Sequence, residues 1–277
     1  MNLLALLLRP LDMPHPERLY AQYRRCGMEV VYGRRMKPLK LLEYIHALED
    51  DRFDLVYPPE IRAVSSVHWT PVIVARRAAE FLVSEPGARV LDIGCGPGKF
   101  CIVGALATDG RFTGVEQRKH LCEAARSVIG QANLPNAEII HGNATEIEFS
   151  NFDAFCLFNP FEENLETTLK IDATVNLSSD LYEKYTEHVA RQLALAPLGT
   201  RVATFYGVCE EVPLGYECLE SSLDYGLKFW EKTKNHPVRG NSLETPPTNI
   251  NGDSGSMRAA DRLTVSARSL RGAPKIY

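Results

Sequence analysis

The chain has 277 residues, 45% of them hydrophobic, with 31 basic and 35 acidic side chains and a net charge of −4. This is long and apolar enough for one full α/β domain with additions, and no run of 18 or more apolar residues offers a membrane span. Residues 71–232 carry 14 basic against 23 acidic groups, a net of −9, which opposes a phosphate backbone and predicts no nucleic-acid partner. The seven cysteines, at 26, 95, 101, 122, 156, 209 and 218, form no C-x-x-C pair, and the histidines lack metal-ligand spacing. A reduced, cytoplasmic protein without a bound metal is expected.

Three zones separate by pattern: an N-terminal helical extension over 1–70, a core over 71–232 and a tail over 233–277. The opening MNLLALLL is apolar only briefly and has no small-residue cleavage site, which predicts a short helix rather than a secretion leader. Residues 16–32 and 38–50 read as helices, the second with Leu41, Leu42, Tyr44, Ile45 and Leu48 on one face. Arg18, Arg24, Arg25, Arg34, Arg35, Lys37 and Lys40 cluster there among Tyr20, Tyr23 and Tyr32. Such a run reads first as a solvated helix face. The tail is rich in Gly, Pro, Ser, Thr and Asn without periodicity, which predicts disorder.

The core opens with a helix, PVIVARRAAEFLV at 71–83, followed by VLDIGCGPGKF at 90–100. Val90, Leu91 and Ile93 suit a buried parallel strand, Gly94 and Gly96 a sharp turn open to a bulky polar ligand, and Pro97 the start of a helix. Strand, glycine turn and helix N-terminus together predict a nucleotide-type pocket. A dinucleotide fingerprint would need glycine at Lys99, and a phosphate-binding Walker loop a hydroxyl at Phe100, so neither fits. FTGVE at 112–116 reads as a second strand whose terminal Glu116 lies 18 positions beyond Gly98, placed to accept both ribose hydroxyls of an adenosine. A third strand at 138–141 leads into Gly142-Asn143-Ala144, and a fourth, FDAFCLFNPF at 152–161, ends in Asn159-Pro160-Phe161. Asp180 and Glu183 have capping-box spacing at the start of a long helix. TRVATFYGV then gives a fifth strand, and residues 215–233 two more about a turn at Asp224-Tyr225-Gly226.

The run D-x-G-x-G-x-G at 92–98 resembles the first motif of the class I S-adenosylmethionine-dependent methyltransferases. Gly142-Asn143-Ala144 resembles their adenine-facing G-[DN]-A turn, and the closing hairpin their antiparallel sheet edge. The resemblance covers about residues 65–232. It implies an α/β fold: a seven-stranded, mostly parallel Rossmann-like sheet with a terminal antiparallel hairpin. It implies S-adenosyl-L-methionine as cofactor, held by Asp92, Gly94, Cys95, Gly96 and Gly98, by Glu116 and Gln117, and by Asn143, Ala144 and Asn159. Cys95 fills a position needing only a small residue, so no nucleophilic role is assigned to it.

Asn159-Pro160-Phe161 resembles the [DN]-P-P-[YF] motif of amino-group methyltransferases, less one proline. There the Asn oxygen and a proline carbonyl hold the substrate nitrogen while the aromatic ring packs on the acceptor. These three residues are therefore the catalytic candidates. Glu162, Glu163 and Glu166 would favour a cationic acceptor or take its proton, although carboxylates also suit a helix N-terminus. His68, Trp69 and Thr70 resemble a segment that closes over the cofactor in several methyltransferases, and His68 is a candidate base. The strand end at Glu116-Gln117 and Thr70-Pro71 faintly resemble non-SET histone lysine methyltransferases. N-methylation of a protein side chain or small amine is expected. The alternatives are a catalytically silent cofactor-binding scaffold, or methylation of oxygen, sulfur, carbon or RNA; a nucleotide oxidoreductase is disfavoured by Lys99.

Overall fold

The computed structural model describes residues 49–236 apart from 167, 208 and 223–225. The expected helix at 16–32, most of that at 38–50, the basic cluster at 18–40, the turn at 224–225 and the tail beyond 236 lie outside the described residues. Seven strands form one sheet: β1 (Arg89–Ile93), β2 (Arg111–Glu116), β3 (Ala137–His141), β4 (Ala154–Phe158), β5 (Arg201–Phe205), β6 (Tyr216–Ser222) and β7 (Leu227–Lys232). Their order is β3-β2-β1-β4-β5-β7-β6. The first five run parallel, and β7 is antiparallel to both β5 and β6.

Strands β1, β2, β4 and β5 are buried almost throughout because helices cover both faces, so their sequences run apolar instead of alternating. On one face α1 (Val72–Leu82), α2 (Lys99–Ala107) and α3 (Lys119–Ala132) pack over Val90, Phe112, Ala154 and Ala203. On the other, α4 (Ser179–Leu195) sets Tyr185, Val189 and Leu193 against Leu91, Phe155, Leu157 and Val202. Phe53, Tyr57, Ile61 and Trp69 join the first of these cores, so side chains from before residue 71 pack with those after it.

The expected cap of α4 is corrected. Ser178, extended at φ −159°, is the N-cap and its side chain accepts from the Leu181 N–H at 3.3 Å, while Asp180 already lies in the first turn. Strand order reverses between β1 and β4, and a crevice opens at their carboxyl ends, the usual ligand site of such sheets.

Candidate active site

The turn after β1 is built from left-handed glycines. Gly94 (φ +72°) lies so close to Pro160 that a Cβ would sit 2.9 Å from the proline Cβ, and one on Gly96 (φ +53°) would meet the Trp69 ring at 2.8 Å. Only glycine relieves both the backbone and the crowding there. Gly98 instead lets α3 approach, with Ala125 Cβ 2.9 Å from its notional Cβ.

A strap over 49–70 pins this turn from outside. Lys99, only 2% exposed, pairs with Asp50 at 2.7 Å and Asp54 at 2.8 Å, and its ammonium stands 5.3 Å from the Phe53 ring centroid. Tyr57 donates from its hydroxyl to the Pro97 carbonyl (3.0 Å), and Trp69 donates to Ile61 O (2.9 Å) while its ring covers Gly96. Asp50 also accepts from the Val72 N–H at the start of α1. Lys99, the residue that breaks the dinucleotide fingerprint, is thus an anchor.

Glu116 ends β2 with its carboxylate bridging the crevice. Gly96 N–H donates to Oε2 (3.1 Å) and Arg118 N–H to Oε1 (2.8 Å). Burial raises its pKa, and the Arg118 contacts pull the other way. A carboxylate has about four lone-pair positions, so two stay free for a pair of hydroxyls. Arg118 went unnoticed in the sequence: its buried guanidinium reaches Glu163 (3.1 Å) and Asp172 (3.1 Å), tying the tip of β2 to the loop after β4.

Between these parts lies a cleft at the carboxyl ends of the strands. Gly94, Gly96, Glu116, Gln117, Gly142 and Ala144 line one side, Asn159, Pro160, Phe161 and Glu163 the other, with His68, Trp69, Val115, Phe158 and Ile171 as walls. Asp92, Cys95, Gly98 and Asn143 do not line it. Asp92 points under the turn toward the Cys101 thiol (3.7 Å), and burial pushes its carboxyl up to about 7, with Glu116 adding to the rise. The Cys95 thiol faces the Gly96 carbonyl (3.7 Å), and burial pushes its pKa well up.

Asn143, expected to meet the adenine, is engaged within the turn itself. Its Oδ1 accepts from Thr145 N–H and Thr145 hydroxyl (2.9 Å each), it forms a capping box with Glu146, and its Nδ2 donates to the Tyr185 hydroxyl (2.8 Å) and to Gln117 Oε1 (3.3 Å). The side chain fastens the turn and leaves backbone at Gly142 and Ala144 to face a ligand.

At the far edge Asn159 is left-handed (φ +42°), a costly setting for a residue with a Cβ. Asn159 lines the cleft, its Oδ1 lies against Gly207, and its side-chain amide has no hydrogen-bond partner among the described residues. The Phe161 ring packs on Tyr185 at 5.4 Å within the core, so it borders the cleft from beneath. Glu163 is taken by Arg118 and the Ile171 N–H, whereas half-buried Glu162 keeps a raised pKa through burial. His68 has its pKa lowered by burial, against Glu163, which raises it, and with Arg118, which lowers it further. It is therefore neutral near pH 7.

The donor set suits an adenosine bearing a sulfonium: Glu116 for the ribose, the crowded glycines for close backbone approach, and Val115 and Ile171 as apolar walls. Residues 84–191 match a family model described as "Methyltransferase domain". A demethylmenaquinone methyltransferase of Listeria welshimeri is 34% identical over 73 residues, 25% of this chain and 31% of that protein. The same enzyme of Bacillus mycoides is 29% identical over 69 residues, 24% of this chain and 29% of its own. The chain thus spans about a third of the length of these relatives. Among solved structures, an RNA methyltransferase from Salinibacter ruber with S-adenosyl-L-homocysteine aligns at TM-score 0.43 and 18% identity, covering 61% of this chain and 95% of that one. Sheet order and glycine turn agree with the family match, so residues 84–191 are similar to a methyltransferase domain.

Proposed function

We propose that the protein transfers the methyl group of S-adenosylmethionine to an amine nitrogen, of a small molecule or a protein side chain, entering the cleft beside Asn159. The observation that carries this reading is Asn159 at the end of β4, a residue lining the cleft, left-handed, its amide without a hydrogen-bond partner among the described residues. The cofactor supplies a methyl group already activated by its sulfonium, so the protein's contribution is binding, in-line placement and exclusion of water. Gly94 and Gly96 let backbone approach the ligand, and Glu116 accepts the ribose hydroxyls. Asn159 Oδ1 accepts one N–H of the amine and so aims the nitrogen lone pair. Glu162 would take one proton from the entering ammonium and so free the nitrogen lone pair; the C–N bond would then form as the C–S pair returns to sulfur, and the methylated amine would leave protonated. The raised pKa of Glu162 brings its carboxyl nearer to working pH for that transfer.

The relatives' match covers too little of their length to carry their substrates over. The test is calorimetric titration with S-adenosylmethionine and its demethylated product, followed by labelled-methyl transfer to a panel of amines, phenols, thiols, quinols and RNA. Saturable cofactor binding with label on amines is the expected result. Label on oxygen, sulfur, carbon or RNA alone overturns the amine reading, and binding with no acceptor labelled points to a scaffold.

A further inference from the structure

Strands β4 and β5 end level with each other: Phe158 is the register partner of Phe205. Each is followed by a non-glycine residue in the left-handed region, Asn159 at φ +42° and Tyr206 at φ +58°. Two neighbouring strands therefore turn outward at the same height, and at Tyr206 the turn is one that a side chain of this kind rarely adopts. Asn159 lines the cleft, and Tyr206 stands at the neighbouring strand end, outside that lining but against Phe158, which belongs to it.

The aromatic rings pack together there. Phe158 lines the cleft, stacks on Phe205 at 5.0 Å, and Tyr206 lies 4.3 Å from Phe205 and 6.5 Å from Phe158. Tyr206 is 57% exposed, and no hydrogen bond holds its hydroxyl among the described residues. A large ring in a strained backbone, open to solvent, is unexplained by packing alone.

Carboxylates stand beside the rings. A Cβ on Gly207 would collide with Asn159 Oδ1 and lie 3.4 Å from Glu162 Oε1, so amide and carboxylate converge over that glycine. Glu211 is 9% exposed, and burial first, then Glu210 and Glu162, raise its pKa; the Tyr182 hydroxyl donates to Glu210 (3.3 Å). Lys228 reaches the same corner, 3.6 Å from Cys209 Sγ, and leaves the carboxylates in excess. An open aromatic face next to acidic groups is the arrangement that binds an organic cation, the ring quadrupole and the carboxylate acting on the same charge.

Building on the amine reading above, we propose that Tyr206, Phe158 and Glu162 form the acceptor's binding subsite and select a cationic amine with an apolar or aromatic body. The apolar part lies along Phe158 and Tyr206, and the nitrogen reaches Asn159 and Glu162. A neutral acceptor of the same shape lacks the second half of this recognition.

The probe is benzyltrimethylammonium, which cannot accept a methyl group, compared with neutral benzyl alcohol. Both are titrated into the full chain with and without S-adenosylhomocysteine. The cation is expected to bind about 5-fold or more tighter than the alcohol. Tyr206→Gly, which removes the ring and relieves the backbone, should weaken the cation about 5-fold, while Tyr206→Phe restores wild-type affinity. Glu162→Gln should weaken it by a similar factor. Equal affinity for cation and alcohol, or unchanged cation binding in Tyr206→Gly, overturns the subsite. Failure of S-adenosylhomocysteine to bind overturns the methyl-transfer reading instead, and the titration without it still reads the subsite.

Discussion

The two banks of the cleft are built on opposite principles. On the β1–β2 bank every polar group that shapes the turn has a partner: Glu116 holds Gly96 and Arg118, Tyr57 holds Pro97, and Lys99 is locked between Asp50 and Asp54. On the β4–β5 bank Asn159 and Tyr206 are left-handed, and the Asn159 amide and Tyr206 hydroxyl have no hydrogen-bond partner among the described residues. The first arrangement is preorganised, as the proposed binding of a cofactor of fixed shape requires. The second keeps hydrogen-bonding capacity and aromatic surface in reserve for a molecule that comes and goes.

The difference breaks most visibly at Lys99. Lys99→Met would leave two carboxylates facing each other without a cation, a loss of about 3–5 kcal/mol and on the order of 10 °C in Tm, read by calorimetry. A variant as stable as wild type would show that the strap is not an anchor.

Next comes Asp92. Its carboxyl titrates at about 7 in the fold, because of burial first, against an ordinary value near 3.8, so between those values the folded protein holds a proton that the unfolded chain has released. Stability from this group therefore falls as pH rises from about 4 to about 7, by at most about 1.4 kcal/mol per unit, and then levels off. Urea unfolding at pH 5 and pH 8 measures the slope, and Asp92→Asn should flatten it.

Glu116→Ala should weaken cofactor binding by roughly 1.5–3 kcal/mol with the fold retained. Titration that finds wild-type affinity would remove the ribose assignment. The smallest change in binding belongs to the other bank. Asn159→Gly relieves its backbone and deletes its amide, so turnover should fall about tenfold while cofactor affinity stays level. Affinity and turnover falling together would make Asn159 part of the cofactor bank.

The sheet, the glycine turn and Glu116 were legible because each is a local pattern: an apolar run, glycines at fixed spacing and an acid at a strand tip. Long-range pairing was not. Nothing near Lys99 announces Asp50 and Asp54 more than 40 residues earlier, and Arg118 finds Glu163 and Asp172 only through the loop after β4. The capping role of Asn143 went unread for a subtler reason. The spacing Asn143-x-x-Glu146 is itself a capping signal, yet the resemblance to an adenine-facing turn overrode it. Asn159 carried a signal, since asparagine takes the left-handed region more readily than other residues with a Cβ, whereas nothing at Tyr206 itself announces it.

The indole laid across Gly96 gives the molecule a built-in optical gauge. The chain has two tryptophans, and they report on different places. Trp69 forms part of the cleft wall, 5% exposed and tied to Ile61, so a ligand seated against the glycine turn alters its surroundings directly. Trp230 sits in β7 with its N–H donating to the Thr204 hydroxyl (3.0 Å) and does not line the cleft. Emission from the first, referenced to the second in a Trp230→Phe control, follows ligand arrival without any label attached to the protein.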